Sequence, residues 1–145
     1  MTPTSPPPRG IRNHNPGNID RNQIKWEGMA DDQSDPRFVV FDTPEHGIRA
    51  LAKVLLSYQR KHGLYNVADI IGRWAPPAEN DTGAYAAHVA VKIGVGVTDR
   101  IDLFKESVLA GLVTSIIAHE NANYAYPETT VLAGIDLALG KIVEV

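Results

Sequence analysis

Between Ser107 and His119 the apolar residues come in adjacent pairs, Val108 with Leu109, Leu112 with Val113 and Ile116 with Ile117, one pair every four residues. Helical geometry spreads such pairs over a stripe broader than a surface helix needs. The spacing therefore predicts a helix enclosed by its neighbours, the most buried element of the chain. Other helices must supply the walls around it.

The chain provides them. Thr43 and Pro44 form an N-cap and first-turn pair, and Ile48, Leu51, Ala52, Leu55 and Tyr58 recur at helical spacing up to Lys61 before Gly63 ends the pattern. A shorter helix is predicted from about Asn66 to Trp74, closed by Ala75-Pro76-Pro77. The run Asn80-Asp81-Thr82 is rich in caps and opens a helix with Tyr85, Val89 and Ile93 on one face. Asp99 to Phe104 reads as a short helical turn, and a last helix spans about Pro127 to Leu139 with Gly140 as its stop. Before all of these, Gly10 to Asp42 is turn-rich. Its β-like run Phe38-Val39-Val40-Phe41 has partners near Asn18 to Ile19 and Ile24 to Trp26, which predicts a small sheet. The expected class is mainly α with a small β lobe (α+β).

A chain of 145 residues, 43% hydrophobic, suits one domain that needs neither disulfides nor a structural metal. Cysteine is absent, which removes thiolate nucleophiles and cysteine-ligated zinc. The formal net charge is −3, although the stretch up to Lys25 sets Arg9, Arg12, Arg21 and Lys25 against Asp20 alone. A modest basic patch on an acidic chain speaks against a nucleic-acid partner, which would call for a dense basic stripe. No run approaches the roughly 20 apolar residues of a membrane span. Residues 1–9 read as a Pro-rich leader, without the charged start and apolar run of a signal peptide, and residues 10–145 as the folded domain.

Glu120 is the leading candidate for chemistry. It follows the most apolar helix, and counting back seven and four residues places it over Val113 and Ile116, on the apolar stripe itself. A carboxyl so placed faces the core or a cleft, where partial burial disfavours its charged form, as suits a general acid. The competing reading is a frayed helix end, with Glu120 turned to solvent or paired with His119. Glu45 is the second candidate acid. Its place in a first helical turn is equally explained by the macrodipole. Glu27, beside Trp26, is a weaker third. Asn13, Asn15 and Asn18 in the segment GIRNHNPGNI carry amide donors and acceptors suited to hydroxyl-rich ligands, unless they bond only their own loop. Asn121, Tyr124 and Tyr126 after Glu120, with Tyr85, resemble the wall of a sugar subsite. His119-Glu120 opens like a zincin helix, but position 123 is Asn, so the ligand pair is missing and no catalytic metal or other cofactor is expected.

In combination and order, GIRNHNPGNI, FVVFDTPEHGIRAL, GRWAPPAENDTGAYAAHVA and IIAHEN resemble a phage family of lysozyme-like peptidoglycan-degrading proteins, over nearly the whole chain from Arg9 to about Leu139. The resemblance implies cleavage of β-1,4 glycosidic bonds in murein glycan strands, by a muramidase or a lytic transglycosylase. Some members are known only as structural proteins, so a non-catalytic virion or wall-binding protein, associated with other virion proteins, is the rival reading. A murein endopeptidase is a third. Delivery to the periplasm would be from a virion, or from host cytoplasm through a holin-type pore. In the superfamily's glucosaminidases the catalytic glutamate ends a helix that precedes an asparagine loop. Here Gly17-Asn18-Ile19 resembles that loop, while the helix ending in Ala118-His119-Glu120-Asn121 comes much later. This order implies a circularly permuted lysozyme-like fold with Glu120 pointing into a groove beside Asn13 to Ile19. Ala122, where a glycine would be expected, is a departure.

Overall fold

The structure is a computed structural model that describes residues 6–141. Residues 1–5 of the leader lie outside the described residues. Six helices occur among the described residues, namely α1 (Arg9–Arg12), α2 (Pro44–His62), α3 (Val67–Trp74), α4 (Thr82–Ile93), α5 (Glu106–Glu120) and α6 (Glu128–Leu139).

The helices begin and end where local chemistry dictates. Thr43 Oγ1 accepts from the His46 amide at 3.2 Å, Asn66 Oδ1 from Asp69 at 2.8 Å and Asp81 Oδ1 from Ala84 at 3.2 Å, each satisfying an orphan donor of a first turn. Gly63 and Gly94, with φ of 65° and 84°, end α2 and α4 in the left-handed conformation. The Asp99 to Phe104 segment is not helical. The Ile101 amide donates to the Tyr65 carbonyl and the Leu103 amide to Gln59 Oε1, and the chain turns at Leu103 and Phe104 into α5.

α5 is enclosed as its sequence demands, with Leu109, Leu112, Val113 and Ile116 fully buried. α2 shares the centre, since Ile48, Leu51 and Leu55 are equally enclosed. α2 packs chiefly on α6, α3 on α4, and α4 and α6 both on α5. The α2–α6 approach depends on Gly134. A Cβ there would stand 2.5 Å from Ile48 Cγ2 and 2.9 Å from the Glu45 carbonyl oxygen.

The small β lobe is not present, and the fold is all-α. Among the described residues, antiparallel pairing is confined to two isolated bridges, Asp20 with Phe38 and Met29 with Phe41. Side chains intercept the ladder. The Phe38 amide donates to Asp35 Oδ1 and the Val40 amide to Gln33 Oε1, while Val39 and Phe41 donate to the separate loop carbonyls of Ile19 and Asn13. Period-two burial survives, with Val39 and Phe41 inward beside Ala50. Burial alternation alone therefore does not make a sheet. The permuted lysozyme-like architecture that required the lobe falls with it.

Candidate functional site

The N-terminal loop is built from the inside by its own polar groups. Arg9 grips Asp35 through two bonds of 2.7 Å, and Asn13 Nδ2 adds a third at 2.9 Å. The Arg9 guanidinium, then the Phe38 amide, holds the Asp35 carboxyl well below the usual carboxylate range. Asn15 is fully buried. Its Nδ2 donates to the carbonyls of Ile19 and Val39, and its Oδ1 accepts from the Ile19 amide. Asn13 and Asn15 are thus spent on the loop's own geometry.

Asn121, the C-cap of α5, fastens that loop to the helix carrying Glu120. Its Nδ2 donates to the Pro16 carbonyl at 2.8 Å and to Ile117 at 3.0 Å, with the residue 1% exposed. Gly10 completes the junction. A Cβ on it would meet Asn121 Oδ1 at 2.5 Å, the Asn15 carbonyl at 2.8 Å and Asn18 Oδ1 at 2.9 Å, so three oxygens close on its Cα. Glu120 is consequently set beside the loop.

Together they line a cleft of about 380 Å³. Gly17 and Asn18 come from the loop, Trp74 to Pro76 from the end of α3, Tyr58 from α2, Glu79 and Asn80 from the turn before α4, and Glu120 from α5, with Asp20, Arg37 and Phe38 on the far rim. Asn18, with φ of 48°, is the only loop asparagine among these residues. Gly17 lies close enough to Trp74 that a Cβ would touch Cη2 at 3.3 Å. Glu120 is half-buried, and its Oε2 accepts from the Tyr85 hydroxyl at 3.3 Å. Tyr85 is 2% exposed and stacks on His119, ring centroids 3.6 Å apart. Burial, then the Glu120 charge, pushes the Tyr85 phenol up, while a bond with Trp74 acts the other way. Tyr85 is therefore a protonated donor beneath Glu120 rather than a wall of the cleft.

The other expected residues gather elsewhere. Glu45 is half-buried in the first turn of α2 and does not line the cleft. It lies by Tyr126, whose phenol is pushed up by burial, then by Tyr124 and Glu45. Tyr124 and Tyr126 meet edge to face at 5.0 Å and are likewise outside the cleft. Glu27 is exposed and bound to Arg49 at 2.9 Å.

Sequence reasoning missed Trp74, Tyr58, Phe38, Asn80, Glu79 and Arg37. A signal existed for part of this set, since Trp74, Glu79 and Asn80 all fall in the GRWAPPAENDTGAYAAHVA segment. The cleft acids differ in freedom. Asp20 is paired with Arg37 at 2.7 Å, whereas Glu79 is exposed on its turn. Among the described residues, no group of three His, Asp or Glu side chains is placed to hold a metal ion.

Against known proteins, the chain is 37% identical over 131 residues to Protein P5 of Pseudoalteromonas phage PM2, a match spanning 88% of this chain and 80% of that protein. No protein-family model matches.

Proposed function

The chain belongs to the family of Protein P5 of Pseudoalteromonas phage PM2, a bacteriophage protein family, and we propose, on the chemistry of its cleft, that it degrades peptidoglycan, cleaving β-1,4 glycosidic bonds of murein with Glu120 as the acid. One observation carries the reading. A half-buried glutamate, bonded to a buried tyrosine, shares a cleft with an amide side chain and the rings of Phe38, Tyr58 and Trp74. Rings lie against sugar faces, amides bond sugar hydroxyls, and the carboxyl protonates the leaving oxygen.

The partner acid decides the subtype. A two-carboxylate hydrolase needs a second group about 5 to 9.5 Å from the first. Glu45 and Glu27 lie outside the cleft, Asp20 is paired with Arg37, and Glu79 is exposed on its turn, so the cleft offers Glu120 no half-buried partner acid. These facts favour a lone glutamate acting in turn as acid and base. Glu120 gives its proton to the leaving glycosidic oxygen and then takes one from a muramic acid hydroxyl, whose oxygen closes on the anomeric carbon. The product is an anhydro-sugar, and no water is consumed. As a phage protein, the chain would reach the wall from a virion or through a holin-type pore. Among the described residues no helix is long and apolar enough to cross a membrane.

Zymography on murein tests the proposal. Clearing by the wild type and its loss in Glu120→Gln is the expected result. Undiminished clearing by the variant refutes the role of Glu120. Binding to sacculi without release of fragments would mark a wall-binding protein instead, and release of free amines an endopeptidase.

A further inference from the structure

A second cavity, of about 610 Å³, has a different chemistry and takes no part in the cleft. Gln59, Arg60, Tyr65, Arg100, Ile101, Asp102, Phe104 and Lys105 line it. Its volume is that of a small-molecule site. Arg60, Arg100 and Lys105 set three cations against the single carboxylate of Asp102. None of the three has a carboxylate within salt-bridge distance among the described residues, unlike Arg9, Arg37, Arg49 and Lys141. Asp102 is held in its turn, with Oδ1 accepting from the Phe104 amide at 2.9 Å. On a chain of net charge −3, these exposed cations around one cavity make a local positive field that attracts an anion.

One lining residue is firmly pinned. Buried Gln59 donates to the carbonyls of Leu64 and Ile101 and accepts from the Leu103 amide, so all its strong bonds are used in fixing the rim. The Arg100 guanidinium lies 4.0 Å over the Tyr65 ring, which fixes its plane and leaves its N–H edge for an acceptor. Beside these cations the Phe104 ring is 50% exposed. An excess of two positive charges calls for a phosphate rather than a single carboxylate. The open ring calls for a flat group attached to it.

We propose that this cavity binds a phosphorylated small molecule carrying a flat ring, of the nucleotide class, with Arg60, Arg100 and Lys105 on the phosphates and Phe104 against the ring. The site is independent of the murein cleft.

Calorimetric titration of the full chain at low salt tests it, with ATP and sodium tripolyphosphate as probes. Both are expected to bind at one site, ATP more tightly by at least about fivefold because of stacking on Phe104. Phe104→Ala should remove only that advantage. Arg60→Gln and Arg100→Gln should each weaken both probes by about fivefold or more. Lys25→Gln, an exposed cation outside the cavity, should change neither. Absence of saturable binding overturns the proposal, as does equal weakening by Lys25→Gln. An oligonucleotide bound more tightly than ATP, with more chains per strand as the strand lengthens, would mark a nucleic-acid surface and also overturn it.

Discussion

At the scale of residues, the site turns on Glu120 and the side chains that hold it. Glu120→Gln is isosteric and leaves the Tyr85 contact possible, so folding should be unchanged, while murein cleavage falls by about 100-fold or more. Circular dichroism beside a turbidity assay on sacculi separates the two. Asn121→Ala acts through structure. It strips the side-chain donor from the buried Pro16 carbonyl, while Ile117 keeps the backbone amide of residue 121, and this should cost about 1–3 kcal/mol in urea unfolding. An unchanged unfolding midpoint would mean that the loop is not fastened there. Residue identity revealed some of this in advance. Glu120 was legible because intervals of four and seven residues place it on the stripe of Val113 and Ile116. The roles of Asn13, Asn15 and Asn121 were not, because an amide bonded to distant backbone has the same sequence signature as one awaiting a ligand.

At the scale of elements, α2 to α6 were announced by their caps and periodicity, α1 was not, and the announced small sheet is absent among the described residues. Thr43, Asn66 and Asp81 cap where their types predict, and Gly63 and Gly140 stop the helices they follow. The run Phe38 to Phe41 alternates in burial as a strand does, yet Asp35 and Gln33 take two of its amides. Two predictions belong here. Gly134→Ala should overpack the α2–α6 contact against Ile48 and cost about 1–3 kcal/mol, read as a lower urea midpoint. The second concerns the Arg9–Asp35 clip that ties α1 to the loop lobe. Because Asp35 titrates lower folded than unfolded, its contribution is full above the unfolded value of about 4 and is lost as pH falls below it. The wild-type unfolding midpoint should therefore drop on acidification through that range, and the slope should be shallower in Asp35→Asn. Parallel pH profiles would contradict the role assigned to the clip.

At the scale of the whole molecule, the cleft with Glu120 and the cationic cavity are separate concavities among several on the described residues. α2 contributes to both, Tyr58 to the cleft with Glu120 and Gln59 and Arg60 to the cationic cavity. That division was invisible in sequence, where Tyr58 reads as one more residue on the apolar face of a helix. Trp74 reads in the same way as the closing residue of a short helix, and only the packing of Gly17 against it turns it toward the loop. We propose that this cleft breaks glycosidic bonds with Glu120 acting in turn as acid and base. Mass spectrometry of purified sacculi incubated with wild type and with Glu120→Gln tests it most directly. The expected products are muropeptides lighter by one water than hydrolytic products, released by the wild type and absent with the variant. Fragments of hydrolytic mass, or anhydro fragments released equally by Glu120→Gln, would contradict it.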